Sequence, residues 1–347
     1  MPQQIIHAPD ALPRSPGKPL AESLRPAFDA LLDLYELAGA RVQLINQSEN
    51  TTLLVQPTHG GTAVILRIYR PMQRSDAEIH SELDWMEALR LEAKITTPRA
   101  IRTRQGQRIS KLHLPGVPLR SCVVFERLPG HEPLADSLLS WFEQLGMLSA
   151  RIHLHGRHWT RPANFTRPRL DYDALIGPDA VWGSWEHLSA LDPPAIALLR
   201  KVSRCIAERL EDYGCHSDRF GLIHGDLRLA NLLVEGSLIH VIDFDDCAIS
   251  WYLYDLSTSI SLLEHLPEAG TLIDKWLSGY QRTIPLSTQH LDMVPHLIMM
   301  RRIQVLSWFA GHAEPQLTAE YLPIVLPATI AAGARYLRAG PKGDPDL

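Results

Sequence analysis

The sequence has few cysteines and no long apolar run. Four cysteines are scattered over 347 residues without a CxxC pair, which argues against a disulfide framework and against a zinc ribbon. No segment reaches the roughly 20 uninterrupted apolar residues of a membrane helix, and the N-terminus lacks the apolar core of a secretory signal. Basic charge is not in excess either, since the net charge is -5. These absences predict a cytoplasmic protein that binds neither membrane nor nucleic acid.

The composition is that of an ordinary folded chain, 45% hydrophobic and 21% charged, and its length allows about two domains. Strand-like alternation dominates residues 41–128, around one helix predicted from "SDAEIHSELDWMEALRLEA" with Ser75 as its N-cap. After Pro133 the pattern is mostly helical. We therefore predict an α+β fold with four parts: a flexible arm over 1–21, a β-rich N-terminal lobe over 22–128, a helical C-terminal lobe over 129–338 and a flexible tail over 339–347.

Two polar stretches lie in apolar surroundings within the helical half, "IHGDLRLANLL" and "VIDFDDC". In the first, the spacing H-x-D-x-x-x-x-N equals that of a protein-kinase catalytic loop. Asp226 then receives the hydroxyl proton, and Asn231 binds a metal ion. A hairpin predicted over "LLVEGSLIHVID" returns Asp243 beside Asn231, where its oxygens suit magnesium and ATP phosphates. The pattern predicts phosphoryl transfer from ATP with Mg²⁺.

Other interpretations of these polar residues remain open. Asp and Asn in turns often bond their own backbone, and His224 is expected to support the loop backbone rather than to react. Of Asp245 and Asp246, one is expected to face substrate or metal and the other to bond backbone, and the sequence does not decide which. The histidine cluster "RIHLHGRHW" is interpreted as helix-end packing rather than a zinc site, because its members point to different helix faces.

On these stretches, together with "WYLYDLSTSIS", the chain resembles the phosphotransferases related to aminoglycoside kinases and choline kinases. Within them it is most similar to the branch of the RdoA/YihE stress-response kinases and type II homoserine kinase. The resemblance spans about residues 25–335. It implies a bilobal protein-kinase-like fold that holds ATP and Mg²⁺ between its lobes. It also implies that Asp255 braces the catalytic loop.

The resemblance also assigns residues to the phosphates of the nucleotide. The loop "NQSENTT" would cover the phosphates, with donors from Ser48, Asn50 and Thr51. Arg67 stands where a phosphate-binding lysine is expected; it would carry a permanent charge and could hold phosphate oxygens bidentately. The alternative for Arg67 is a surface arginine on an edge strand.

Two further nucleotide contacts follow from the resemblance. The helical partner of the arginine is expected to be Glu82, with Glu78 one turn earlier as the alternative. The adenine would meet the backbone of "VVFERLPG", including Glu126 and Leu128, although this stretch is equally good as a plain strand.

The phosphate acceptor is the least defined part of the sequence. Candidate substrate contacts are Arg228, Asp245, Trp251, Tyr254, Glu264 and Arg301. Acidic and aromatic side chains suit an amine, and an arginine pair suits a carboxylate or phosphate. The set predicts a small zwitterion, so the favoured function is phosphorylation of an amino alcohol or hydroxy amino acid. The alternatives are a Ser/Thr protein kinase, an aminoglycoside phosphotransferase and, least favoured, a nucleotide-binding pseudokinase.

Overall fold

An antiparallel six-stranded sheet forms the centre of the N-terminal lobe. The computed structural model describes residues 25–47, 50–71, 73–114, 118–134, 137–311 and 315–340. The strands run in the order β1-β2-β3-β6-β4, with β5 also paired to β6. Their bounds are Arg41–Gln47 (β1), Thr51–Gln56 (β2), Val64–Ile68 (β3), Ala100–Ile101 (β4), Ser110–Leu112 (β5) and Arg120–Glu126 (β6).

The alternation along β3 separates the two faces of this sheet. Val64, Leu66 and Ile68 are buried, and they belong to the same apolar cluster as helix α1 (Arg25–Asp33). Ile65 and Arg67 point to the opposite face, because successive side chains of a strand alternate. The sheet therefore carries a core on one side and presents Arg67 on the other.

Helix α2 (Asp76–Leu91) crosses the second face of the sheet. Ser75 caps it as predicted: its hydroxyl accepts from the Glu78 N–H, and the Glu78 side chain accepts from the Ser75 N–H. The cap fixes the start of the helix, and it places Glu82 on the buried side two turns later.

The C-terminal lobe contains the other helices and two short strand pairs. Strand β7 (Phe220–Ile223) pairs with β10 (Ala248–Trp251), and β8 (Leu232–Glu235) forms a hairpin with β9 (Leu238–Val241). The described helices are α3 (Leu138–His158), α4 (Tyr172–Ile176), α5 (Pro193–Tyr213), α6 (Tyr254–Ile260), α7 (Ala269–Gln281), α8 (Thr288–Leu291), α9 (Val294–Gly311) and α10 (Pro315–Ala339).

This architecture confirms the predicted α+β, bilobal, protein-kinase-like fold. The lobe boundary stays a prediction, although residue 128 lies between the end of β6 and the start of α3. The predicted arm over 1–21 and residues 341–347 of the tail lie outside the described residues. Within the described part of the chain, no helix is long and apolar enough to cross a membrane.

Candidate active site

The loop between β7 and β8 is held in place by Asp255 at the start of α6. The buried Asp255 carboxylate accepts the backbone N–H of His224 at 3.1 Å and that of Gly225 at 2.8 Å. The His224 ring lies 3.1 Å from the Ile242 carbonyl oxygen and bridges to the neighbouring loop. The structure places both residues in supporting positions, and they hold the backbone directly before Asp226.

The Asp226 carboxylate is surrounded by nitrogen donors. Arg228 Nε lies 3.1 Å from both carboxylate oxygens, and Arg301 Nη2 lies 3.0 Å from Oδ1. Asn231 Nδ2 donates to Oδ2 at 3.1 Å. Burial alone would raise the pKa of Asp226, but the two guanidinium groups more than offset it and hold that pKa below its ordinary value. The predicted base is therefore an ionised carboxylate in a fixed orientation.

The catalytic loop and the "DFDD" loop touch through their backbones. Gly225 has a φ of +83°, and a Cβ added there would lie 2.3 Å from the carbonyl oxygen of Asp246. Only glycine fits both the backbone angle and this approach. The two polar stretches that the sequence singled out are thus parts of one site.

Asp243 and Asn231 meet as the predicted hairpin requires. The N–H of Ile242 donates to the Asn231 carbonyl at 3.0 Å, and Asp243 has a left-handed backbone with a φ of 66°. The Asn231 amide nitrogen also donates to the Asp226 carbonyl at 2.8 Å, so its Oδ1 is directed away from these contacts. Asp243 and Asn231 line one cavity and offer it hard oxygen donors, which are the ligands that Mg²⁺ prefers.

The residues present fit an Mg²⁺ ion whose ligands come partly from the protein and partly from the ATP phosphates. Among the described residues there is no group of three or more His, Cys, Asp or Glu side chains that could hold a metal ion. Magnesium bound to ATP takes one or two protein oxygens and completes its shell with phosphate and water oxygens. Asn231 and Asp243 supply that number.

Arg67 joins the two lobes across this cleft. Its Nη1 donates to the buried Glu82 at 3.0 Å, and its Nη2 donates to Asp243 Oδ1 at 2.8 Å. Tyr69 OH also donates to Glu82, whereas Glu78 is occupied at the helix cap. The side chain of Arg67 is 12% exposed and its strand lies between β2 and β6, so it is not a surface arginine on an edge strand.

The charges of this pair are set by burial and by each other. Burial raises the pKa of Glu82, and Arg67 only partly offsets that rise. Burial would lower the pKa of Arg67, but Asp243 and the other nearby acids raise it well above its ordinary value. Arg67 is therefore permanently charged beside the predicted phosphate site.

Two cavities meet at this point. The larger, about 460 Å³, is lined by the backbone segment 125–128 and by Asn231. The smaller, about 130 Å³, is lined by the predicted base Asp226 and by side chains of α9. Four residues border both cavities: Asn46, Thr52, Arg67 and Asp243. If a molecule in the larger cavity extended a phosphate to these four residues, that phosphate would lie next to a molecule bound in the smaller cavity.

The phosphate-covering loop differs in part from its prediction. Ser48 lies outside the described residues. Asn50 borders the smaller cavity, and its amide donates to Asp245 Oδ2 at 2.8 Å. Thr51 lines neither cavity, and Thr52 does so instead because it pairs with Arg67 on the same face of the sheet. The role of Thr51 as a phosphate donor stays a prediction, and Thr52 is a further candidate.

Three of the six predicted substrate contacts, Arg228, Asp245 and Arg301, line the smaller cavity. The other three do not line it. Trp251 is buried, with its indole N–H on the Gly214 carbonyl at 3.0 Å. Tyr254 is also buried, 1% exposed, and is not among the residues that line the smaller cavity. Glu264 borders a separate cavity of about 20 Å³, where it lies 3.8 Å from Arg302.

Two arginines that carry no recognisable signal in the sequence hold the "DFDD" loop. Arg74 Nη2 donates to Asp246 Oδ1 at 3.1 Å. Arg167, 8% exposed, donates to the backbone carbonyls of Asp245, Cys247 and Glu78. Arg167 comes from an irregular segment about 80 residues earlier in the chain, so no local spacing could have found it.

His153 is a third residue that supports this region, although its sequence context predicted only helix-end packing. Its Nε2 lies 2.9 Å from Asp255 Oδ2, and its Nδ1 lies 3.0 Å from Tyr280 OH. Burial lowers the pKa of His153. A neutral ring that donates to Asp255 and accepts from Tyr280 satisfies all three groups, so His153 holds the residue that braces the catalytic loop.

Comparisons with known proteins agree with this geometry. A model of the phosphotransferase enzyme family matches residues 41–286. A solved structure of a microcompartment-associated aminopropanol kinase is 34% identical, covers 92% of this chain and 99% of its own, and has a TM-score of 0.84. A homoserine kinase of Pseudomonas aeruginosa is 29% identical over 248 residues, 70% of each chain. An amicoumacin kinase in complex with AMP-PNP and Ca²⁺ is 17% identical, with a TM-score of 0.69 over 89% of this chain and 96% of its own, and shows the same fold.

Proposed function

Since this chain belongs to the phosphotransferase enzyme family and is a kinase with an alcohol group as acceptor, we propose that it transfers the γ-phosphate of ATP to an amino alcohol or a hydroxy amino acid. One observation carries the proposal. The two cavities meet at Arg67 and Asp243, with Asn231 on the larger side and Asp226 on the smaller. The larger cavity has room for a nucleotide, and the smaller suits a small acceptor.

On the nucleotide side, the adenine would lie against the backbone after β6. The N–H of Glu126 is already bonded to the Arg99 carbonyl, so Glu126 would meet the base through its own carbonyl. Leu128 would then offer the N–H. Arg67 would bind phosphate oxygens, and Mg²⁺ held by Asn231 and Asp243 would neutralise charge on the phosphates.

On the acceptor side, the substrate hydroxyl would donate a hydrogen bond to Asp226. A positioned base contributes about 10²–10⁴-fold to a rate. Because the neighbouring arginines lower the pKa of Asp226, this carboxylate is a weak base. Its main role is therefore to orient the hydroxyl, and it accepts the proton late, as a loose phosphoryl-transfer transition state allows.

The size of the smaller cavity favours a small acceptor over the alternatives. About 130 Å³ is well below the roughly 300–1,000 Å³ that drug-sized ligands occupy, which disfavours an aminoglycoside. After Asp246 the chain enters β10 and then α6 without a long exposed segment that could dock a protein acceptor. The presence of Asp226, Asn231 and Asp243 in one site argues against a pseudokinase.

A screen of ATP consumption tests the proposal. Purified protein with Mg²⁺ is offered amino alcohols, hydroxy amino acids, sugars, aminoglycosides and a protein acceptor. We expect turnover with the first two classes, and loss of at least about 100-fold in Asp226→Asn. Asparagine is preferable to alanine here, because alanine would leave two guanidinium groups without their partner. Asp33→Asn, in an exposed ion pair with Arg104, is the matched control. Turnover of Asp226→Asn at the control's rate would refute the role of Asp226.

A further inference from the structure

Two groups of charged side chains with opposite net charge line the smaller cavity. In the arginine group, Arg228 and Arg301 both contact the single carboxylate of Asp226. In the acidic group, the carboxylates of Asp245 and Asp246 share one guanidinium, that of Arg74. The arginine group therefore favours an anionic ligand group and the acidic group a cationic one.

Arg301 is held in place for such a contact. Its Nε donates to Ser261 at 3.3 Å, its Nη1 to Gln304 at 2.9 Å and its Nη2 to Asp226 at 3.0 Å. A guanidinium has five N–H groups, so these three bonds leave donors for a further acceptor. Because Arg301 is already oriented, a carboxylate that binds there pays little of the usual ordering cost.

In the acidic group, one carboxylate oxygen of Asp245 lacks a hydrogen-bond donor in the part of the chain that the structure describes. Asp245 Oδ2 accepts from Asn50 at 2.8 Å, but Asp245 Oδ1 has no hydrogen-bond partner among the described residues, although the residue is 5% exposed. Arg74 Nε is 3.8 Å from this oxygen, beyond hydrogen-bond distance. Two further guanidinium groups lie nearby: that of Arg167 donates to backbone carbonyls, and that of Arg67 donates to Glu82 and Asp243. A hydrogen-bond donor from a bound ligand would satisfy this buried carboxylate oxygen, and an ammonium group would also match its charge.

We infer that the acceptor is a hydroxy amino acid rather than an amino alcohol. Its carboxylate binds Arg301 with Arg228, its ammonium group binds Asp245, and its hydroxyl faces Asp226. This inference rests on the proposed function and narrows it. It separates the chain from the neighbour named for aminopropanol, since an amino alcohol would leave the two guanidinium charges of the arginine group with the single carboxylate of Asp226 as counter-ion.

Pairs of acceptors that differ only in the carboxylate test this inference. Threonine is compared with 1-amino-2-propanol, and homoserine with 3-amino-1-propanol. The corresponding hydroxy acids without the amine, 3-hydroxybutanoate and 4-hydroxybutanoate, complete each set. We expect kcat/KM for the amino acid of at least one set to exceed that of both partners by roughly 10- to 100-fold, the effect of one or two charged hydrogen bonds.

Two variants then test which residue recognises the carboxylate and which recognises the ammonium group. Arg301→Gln should reduce the preference for the amino acid over the amino alcohol towards unity. Damage to Asp226 cancels in that ratio, because both acceptors use the same base. Asp245→Asn should likewise reduce the preference for the amino acid over the hydroxy acid. Arg204→Gln, an exposed arginine of α5, is the control and should leave both ratios unchanged.

The wild-type comparison decides the inference even if Arg301→Gln does not fold. Equal or faster turnover of the amino alcohol in both sets would overturn it, while the proposed phosphotransfer would stand. Turnover only with acceptors that lack both charges would overturn it as well. If no acceptor of any class stimulates ATP consumption above the Asp226→Asn level, the proposed function fails, and the inference fails with it.

Discussion

Replacing Asp255 by asparagine should destabilise the fold and slow the reaction together. The Asp255 carboxylate is fully buried and accepts three hydrogen bonds: Oδ1 from the Gly225 N–H, and Oδ2 from the His224 N–H and from the His153 ring. Asparagine has one acceptor oxygen in place of two. If that oxygen takes the Oδ2 position, the Gly225 N–H faces the amide NH₂ group. If it takes the Oδ1 position, the His224 N–H and the His153 ring both face the NH₂ group.

The better orientation leaves one buried donor unsatisfied, which costs about 1–3 kcal/mol. Urea unfolding followed by tryptophan fluorescence measures this loss. Because the affected N–H precedes Asp226, kcat should also fall, by up to about 100-fold for a displacement near 1 Å. Asp33→Asn makes the same chemical change in an ion pair that is 58% and 47% exposed, and it should cost about 0–1 kcal/mol. If Asp255→Asn unfolds at the same urea concentration as this control, the bracing role is wrong.

Three further substitutions have defined outcomes. Arg67→Lys keeps the charge, but one ammonium group cannot reproduce the fork that reaches two carboxylates, so KM for ATP should rise by roughly tenfold with kcat less affected; an unchanged KM would contradict this role. Gly225→Ala should unfold at lower urea and lose activity, because its Cβ would meet the Asp246 carbonyl at 2.3 Å, and wild-type behaviour would refute the loop contact. Burial lowers the pKa of His296 from 6.5 to about 4. The unfolded chain then binds a proton that the folded chain does not, so stability should fall by about 2 kcal/mol from pH 7 to pH 5. His296→Gln should lose about 2 kcal/mol less stability between pH 7 and pH 5 than the wild type, as measured by urea unfolding at both pH values. If the variant and the wild type lost the same stability, His296 would not be the group that titrates.

The sequence could predict the parts of the site that local spacing encodes. Asp226 and Asn231 lie on one short loop, and the hairpin that follows has few ways to return Asp243. Arg67 and Glu82 come from a strand and the next helix, and the family resemblance rather than spacing assigned them. The structure brings these five residues together, and their roles stay predictions.

The smaller cavity could not be predicted in the same way, because distant elements build it. Arg301, Gln304, Val305 and Trp308 of α9 line it, at the i, i+3, i+4 and i+7 positions of one helix face. However, α9 is buried on nearly all faces, so its apolar pattern does not show which face meets the site. Trp251 has a residue type that suits a substrate contact, but in the structure its indole is buried and donates to the Gly214 carbonyl.

The arginine in place of the expected lysine has a physical reason in this chain. Each Nη of Arg67 reaches a different carboxylate, one on α2 and one on the "DFDD" loop, so the side chain fixes the separation between a helix of one lobe and a loop of the other. Asn50 and Arg74 make parallel contacts from the N-terminal lobe to Asp245 and Asp246. The acids of the "DFDD" loop are thus each held by a different N-terminal side chain. Substitutions in the N-terminal lobe should therefore disturb acceptor selection as well as ATP binding, which would not follow if the lobes met only through the nucleotide.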